Sequence, residues 1–333
     1  MIARLRGALD PFIVALLGVV ALASVLPARG AMAGVVDLAA NAGIVLLFFL
    51  HGAKLSREAI LAGAGNWRLH LAVLGTTFLA FPLLGLAMAA IPGIPPLVGI
   101  GLLFLTLLPS TVQSSIAFTS IAGGNVAAAV CSASFSNLIG IVVTPLLASA
   151  LMGQGSGMAG GISLGAVEKI MAQLLAPFVI GHLARPLIGA FVSRHRQAIT
   201  LVDRGSILLV VYSAFGAAVV GGLWHRLPPS SLVLILGLCC ALLALVLGLT
   251  WALGRAFKRE DAIVLLFCGS KKSLASGVPI ARVLFPAAQV GALILPVMLF
   301  HQIQLIACAF IARALSRSAG ARVGAGTSGD GAR

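Results

Sequence analysis

Long apolar segments alternate with short polar ones along almost the whole chain. Glycine, proline and charged residues divide it into ten apolar segments, and a helix needs about 20 such residues to cross the hydrocarbon layer of a membrane. Strands of a β-barrel would be shorter and would alternate in polarity. The pattern therefore predicts ten membrane-spanning helices, spans one to ten. They lie near residues 9–27, 32–53, 68–91, 97–122, 125–152, 165–187, 203–223, 229–254, 260–284 and 287–314.

Composition favours the same class of protein. Hydrophobic residues make up 60% of the 333 residues and charged residues 9%, whereas about a quarter of an ordinary soluble domain is charged. The net charge of +14 comes from basic residues scattered through short loops, which argues against a nucleic-acid partner. The five cysteines lie in apolar segments without metal-ligand spacing, so we expect neither a disulfide nor a metal site. We predict an all-α polytopic membrane protein whose main partner is the lipid bilayer.

The distribution of lysine and arginine predicts the orientation. With the N-terminus inside, sixteen of these residues fall on the inner side and four on the outer side. Cytoplasmic loops carry the excess of positive charge, so both termini are predicted to be cytoplasmic. Residues 316–333 are rich in Gly, Ser, Ala and Arg, and we expect a disordered cytoplasmic tail there.

Spans four and nine carry polar and helix-breaking residues. Pro109 removes a backbone donor from span four, and Gly269 weakens span nine. At a spacing of 158 residues, Ser115-Ile116-Ala117 aligns with Ser273-Leu274-Ala275. This predicts two five-helix repeats, about 9–152 and 165–314. Because each repeat has an odd number of spans, the second would be inverted in the membrane.

Broken helices at matching positions of inverted repeats are typical of secondary transporters. Freed backbone groups at that depth are tolerated only where they are buried in protein or line a wet cavity, and substrate and ion sites form where the breaks meet. The candidate cation and substrate site therefore comprises the polar residues of both breaks. These are Thr111, Gln113, Ser114, Ser115, Ser270, Lys271, Lys272 and Ser273.

The adjacent Lys271 and Lys272 are the least expected residues in span nine. A lysine at the centre of a spanning helix costs about 2.5–3.5 kcal/mol, and a loop there would leave two apolar segments too short to cross. We therefore expect at least one lysine to face a polar cavity; the alternative is a lysine that ties helices together through backbone carbonyls. Lys272 is favoured, one turn from Ser276. It could replace a coupling cation, neutralise an anionic substrate or cycle a proton.

Secondary candidates for the cavity lie on neighbouring spans. Asn137 is expected to form an interhelical hydrogen bond, and His301, Gln302 and Gln304 form a polar stripe that could equally be helix–helix contacts. Thr76 and Thr77 are expected to bond carbonyls of their own helix. Asp37 has no obvious partner in the sequence.

Five segments in order carry a resemblance to a known family. They are IVLLFFLHGAKLS (44–56), LLPSTVQSSIAFTSIAGGNVAAA (107–129), SNLIGIVVTPLL (136–147), FCGSKKSLASGVPIA (267–281) and FHQIQL (300–305). With these segments the chain resembles the bile acid:sodium symporter superfamily, most closely its SBF-like bacterial branch.

The resemblance implies a fold and a location. One transport unit would extend over residues 1–315, in a bacterial inner membrane. Spans one, two, six and seven would form a panel. Spans three to five and eight to ten would form a core domain, in which the discontinuous spans four and nine cross. Family cation sites fall on Thr111, Gln113, Ser114 and Ser115 in span four. The family's span-three position corresponds to Thr77, and its span-five hydroxyl positions fall mostly on Ala129 and Ala133, with Ser132 and Ser136 nearby as further cavity candidates.

The family's span-nine carboxylate is replaced here by GSKKS (269–273), so direct sodium coupling is not expected. We predict a secondary active, symporter-like transporter of a small organic anion that works by alternating access and needs no cofactor. Its coupling ion would be a proton, or a lysine would substitute for the cation. The alternatives are a channel-like or regulatory membrane protein and, least favoured, an intramembrane enzyme that uses Ser276 with Lys272. The sequence makes no prediction of oligomeric state.

Overall fold

The computed structural model describes residues 11–54, 65–152, 164–226 and 228–327. Within these ranges the protein is helical and has no strand. The helices are α1 (Pro11–Val25), α2 (Ala31–Lys54), α3 (Trp67–Ala89), α4 (Pro96–Leu107), α5 (Gln113–Ile121), α6 (Val126–Met152), α7 (Leu164–Arg194), α8 (Arg196–Val220), α9 (Leu223–Arg226), α10 (Pro229–Gly254), α11 (Arg259–Gly269), α12 (Leu274–Leu284) and α13 (Ala287–Thr327).

Helices coincide with all ten predicted spans, and the all-α prediction is confirmed. In the described part of the chain, eight helical segments are long and apolar enough to cross a membrane, counting 259–284 as one, and two shorter apolar helices are Val14–Val25 and Pro96–Leu107. Ten crossings and the inverted repeats stay predictions. Helix α13 is assigned as far as Thr327, within the range 316–333 for which a disordered tail is expected, and the tail stays a prediction. Residues 328–333 lie outside the described residues.

One group of helices is built around α2. It packs along α7 and α8, and α1 packs on α8. At the crossing of α2 and α7, a Cβ on Gly52 would lie 2.0 Å from the Phe178 carbonyl oxygen, and one on Gly181 would lie 2.0 Å from the Phe49 carbonyl oxygen. Only glycine allows backbones to approach this closely.

The second group contains α3–α6 and α10–α13. Helix α4 packs between α3 and α13, while α10 packs on α11 and α13. Edge-to-face aromatic pairs join these helices, with ring centroids 5.5 Å apart for Phe104 and Phe285 and 6.1 Å apart for Phe81 and Phe300. The two groups meet where α8 contacts α13 and α7 contacts α6.

Spans four and nine are both interrupted. Helix α4 ends at Leu107, just before Pro109, and the chain becomes helical again at Gln113. Helix α11 ends at Gly269, 162 positions after Leu107, and α12 begins at Leu274. The sequence alignment at a spacing of 158 is therefore offset by about one helical turn, because it matched small residues rather than the backbone breaks.

Candidate functional site

The two interruptions lie against each other and satisfy each other's backbone groups. The Ser110 hydroxyl donates to the Cys268 carbonyl oxygen at 2.6 Å, and the Ser115 hydroxyl donates to the Phe267 carbonyl oxygen at 2.9 Å. In return, the Ser273 amide donates to the Pro109 carbonyl oxygen at 2.8 Å. Hydroxyls and amides of one break thus replace the helical partners that the other has lost.

Lys272 lies at the centre of this crossing with no exposed surface. Its Nζ donates three hydrogen bonds of 2.7 Å, to the carbonyl oxygens of Thr77, Thr106 and Leu108. Thr106 and Leu108 belong to the C-terminal end of α4, where unpaired carbonyls and the helix dipole favour a cation. All three N–H groups of the ammonium are occupied.

The third acceptor comes from an irregular turn. Residues 76–80 of α3 form a π-helical turn, a feature that often marks functional sites. The Thr77 hydroxyl donates to Val73 within its own helix, as expected, so it is the Thr77 backbone oxygen that reaches Lys272. The Phe81 ring completes the surroundings, with its centroid 4.1 Å from Nζ.

Gln304 is the residue of the polar stripe that contacts the break. Its side-chain oxygen accepts a hydrogen bond from the Lys272 amide at 2.9 Å, and its amide nitrogen donates to the Lys272 carbonyl oxygen at 2.9 Å. His301 lines the cavity and contacts Gln304, whereas Gln302 is half-buried and its two side-chain polar atoms find no hydrogen-bond partner among the described residues. From the sequence, Gln304 was named only as part of a polar stripe that could equally be a helix–helix contact; its position three residues after His301 puts both on the same helix face.

Lys271 is equally buried but bonds differently. Its Nζ has no hydrogen-bond partner among the described residues. It lies over two aromatic rings, 4.0 Å from the centroid of Phe118 and 5.3 Å from that of Phe267. Neither lysine lines the cavity described below.

Asn137 connects the two breaks. Its amide nitrogen donates to the Ser110 carbonyl oxygen at 2.7 Å, and its oxygen accepts from the Ser276 hydroxyl at 2.8 Å. Because the Lys272 ammonium is fully used by carbonyls, it does not pair with Ser276. The geometry required for a serine–lysine enzyme is therefore not formed.

The remaining candidates divide into cavity residues and packing residues. Thr111, Gln113, Ser114 and Ser273 line the cavity, and Thr111 also bonds Ser114 at 2.8 Å and Ser115 at 2.9 Å. The other three make buried contacts. Ser132 bonds His70 at 2.8 Å, Ser136 accepts from the Ser110 amide at 2.9 Å, and Ser270 donates to the Leu266 carbonyl oxygen. Within the described part of the chain, no group of three or more His, Cys, Asp or Glu could hold a metal ion.

A cavity of about 910 Å³ lies between the two groups of helices. Its walls are mostly apolar, with Phe12 and Phe178 on one side and Leu305 and Phe310 on the other. Among the described lining residues the cations outnumber the single carboxylate, Asp203, which pairs with Lys54. The cations are Lys54, Arg196, Arg204 and Arg313.

Comparison with known proteins gives consistent results. A family model described as the SBF-like CPA transporter family matches residues 10–317. The chain is 54% identical over 312 residues to an uncharacterised protein of Pseudomonas aeruginosa, with 92% of this chain and 93% of that protein covered. It is 53% identical over 318 residues to "Putative symporter YfeH" of Escherichia coli, covering 94% and 95%. It is 25% identical over 316 residues to sodium/bile acid cotransporter 7 of Danio rerio, covering 92% and 93%.

Proposed function

Because the chain belongs to the SBF-like CPA transporter family, we propose that it is a secondary active transporter of a small organic anion. It works by alternating access in the inner membrane, with both termini in the cytoplasm. Lys272 supplies, as part of the chain, the positive charge that a bound coupling cation would otherwise supply.

The observation that carries this proposal is the set of three carbonyl oxygens around Lys272 Nζ. Oxygen atoms at the end of a broken helix are the ligands that transporters of this architecture use for a coupling cation. An ammonium that donates to all three fills that position, and the break needs no metal ion to balance the α4 dipole. Sodium is then not required.

The cavity supports an anionic substrate. Four cations and one carboxylate give its lining a net positive charge, which attracts anions and raises their local concentration. The apolar walls suit a substrate with a hydrophobic body. The relative from Danio rerio is named a sodium/bile acid cotransporter. From that name we take over only the substrate class, an organic acid, as a proposal for this chain.

Movement between the two helix groups would give alternating access. The cavity lies between α1, α2, α7 and α8 on one side and α5, α6, α12 and α13 on the other. We assign α1, α2, α7 and α8 to the panel and α3–α6 with α10–α13 to the core. Lys54, Arg196 and Arg313 belong to the cavity lining, and by the positive-inside rule the end of the cavity that carries them would face the cytoplasm.

Uptake into proteoliposomes tests the proposal. The panel of radiolabelled anions contains an aromatic carboxylate, an aliphatic dicarboxylate, an alkyl sulfate and a sterol carboxylate, each measured in sodium and in choline under the same imposed pH gradient, acidic outside. We expect accumulation of at least one anion at equal rates in both salts. Uptake that requires sodium contradicts the proposed role of Lys272. Flux that only equalises the two sides supports a channel instead.

A further inference from the structure

The two adjacent lysines at the crossing differ in the hydrogen bonds that their Nζ atoms make. Lys272 donates three hydrogen bonds to carbonyl oxygens, while the Lys271 Nζ has no acceptor among the described residues and no exposed surface. An ammonium has three N–H groups to satisfy. Ring faces satisfy them only in part, whereas an uncharged amine tolerates such surroundings better.

Among the described residues, the titratable groups that face Lys271 include no carboxylate that could fix its charge. They are the Cys268 thiol on α11, the Cys308 thiol on α13 and Lys272 itself. Helix α5 presents Phe118 and contains no titratable residue. The only charged residue of α12, Arg282, bonds Asp37 instead. Lys271 is therefore a group that can exist with or without its proton.

Phe118 connects Lys271 to the cavity. The ring belongs to the lining of the cavity, and its centroid lies 4.0 Å from Lys271 Nζ. The same side chain thus contacts the solute space and covers the amine. A rotation of the ring would bring cavity water to Nζ, whereas Lys272 would stay enclosed by carbonyls.

We propose that Lys271 is the proton-binding site of this transporter and that Phe118 is the gate through which protons reach it from the cavity. The uncharged amine takes a proton from a hydronium ion, forming an N–H bond and leaving water. It returns that proton to water when the site faces the other side. This inference rests on the proposed transport function and names its coupling ion. Lys272 holds a constant charge, and Lys271 holds the exchangeable one.

Labelling with cyanate tests the site without any substrate. Cyanate carbamylates uncharged amines, and peptide mass spectrometry of the full-length protein separates Lys271 from Lys272 and from the exposed Lys258. We expect Phe118→Ala to raise the labelling rate of Lys271 several-fold near neutral pH, to a value above that of Lys258. Lys272 should stay unlabelled and serves as the internal control. Phe118→Leu, which keeps a bulky apolar side chain, serves if Phe118→Ala fails to fold and should give a smaller rise.

Two labelling outcomes contradict the proposal. Lys271 that stays unlabelled in both variants at every pH is not reached through Phe118. If the labelling of Lys271 depends on pH in the same way as that of the exposed Lys258, Lys271 keeps its proton under transport conditions. It then cannot exchange a proton during transport.

Proton flux provides the second measurement. Proteoliposomes loaded with pyranine report luminal pH while an anion from the panel is taken up. Wild-type uptake should change luminal pH, and Lys271→Met and Lys271→Arg should each abolish that change. Wild-type anion uptake with no change in pH overturns the proton site but keeps the transporter. Absence of any uptake overturns the proposed function, and the labelling result for Lys271 still decides its accessibility and protonation.

Discussion

Arg282 on α12 binds Asp37 on α2, with 2.7 Å between Nη2 and Oδ1. Ser213 on α8 lies between them, accepting from Arg282 and donating to the Asp37 carboxylate. The three residues join the two helix groups near the end of α2 opposite Lys54. In the proposed transport cycle this contact would close the outer side.

Removing the Asp37–Arg282 pair should shift the protein away from the inward-open state. Asp37 is nearly half-exposed, so the pair contributes about 1 kcal/mol or less. That amount changes a two-state ratio up to about fivefold. With Cys240 replaced by serine, Ala117→Cys in the cavity should react more slowly with a charged maleimide from the inner side in Asp37→Asn and Arg282→Gln.

Arg29→Gln is the matched control for this experiment. It removes an exposed positive charge just before α2 and breaks none of the contacts between the helix groups. Labelling that slows equally in Arg29→Gln reflects surface charge and not the ion pair.

Comparing Lys272→Ala with Lys272→Met should distinguish the loss of the ammonium charge from the opening of room for an ion. Both variants remove the ammonium from the carbonyl oxygens of Thr77, Thr106 and Leu108. Alanine also leaves room for an ion among oxygen ligands, which alkali and alkaline-earth cations prefer. We expect both to lose transport in choline and only Lys272→Ala to regain part of it in sodium. If Lys272→Met transports at the wild-type rate, the lysine only holds helices together.

Arg313→Gln should weaken anion capture. Arg313 is exposed at the cavity lining, so its charge acts through solvent and is screened by salt. We expect the KM for the anion to rise about two- to fivefold at low ionic strength, as for one exposed charge contact worth up to about 1 kcal/mol, with little change in kcat. Arg317→Gln, one turn further along α13 and outside the lining, should leave KM unchanged.

Gly52→Ala should destabilise the crossing of α2 and α7. The added Cβ would lie 2.0 Å from a backbone oxygen that cannot rotate away, so the helices must separate. Overpacking of this kind costs about 1–3 kcal/mol. The melting temperature in detergent should fall for Gly52→Ala but not for Gly34→Ala on the same helix, where an added Cβ would have no atom within 4 Å and alanine favours the helix.

Helix positions could be predicted because a long apolar segment has few alternatives in a bilayer. Helix α10 covers 229–254, as predicted, since Pro228 and Arg255 bound a continuous apolar sequence. The breaks follow from Pro109 and Gly269, which weaken their helices locally. The family resemblance carried by five short segments is confirmed by the match over residues 10–317.

The contacts of the site could not be predicted, because they join residues far apart in the chain. Lys272 meets Thr106 across 166 positions, and Arg282 meets Asp37 across 245. Pro82 follows the π-helical turn at 76–80 and has no N–H to donate to the Thr77 carbonyl five residues before it, so this free carbonyl had a local signal that the sequence analysis did not use. The helices before the two breaks end 162 positions apart, whereas the sequence alignment has a spacing of 158, since residue likeness does not fix where a helix ends.

A positive charge that is covalently part of the chain crosses the membrane field together with the helices that hold it. One elementary charge moved through a potential of 100 mV gains or loses about 2.3 kcal/mol. An empty carrier with Lys272 charged is then driven by a negative cell interior toward the cytoplasmic orientation. A carrier that has bound both a monovalent anion and a proton on Lys271 gains no further net charge and keeps the single positive charge of Lys272. The resting potential would thus hold unloaded molecules with their binding cavity toward the cytoplasm.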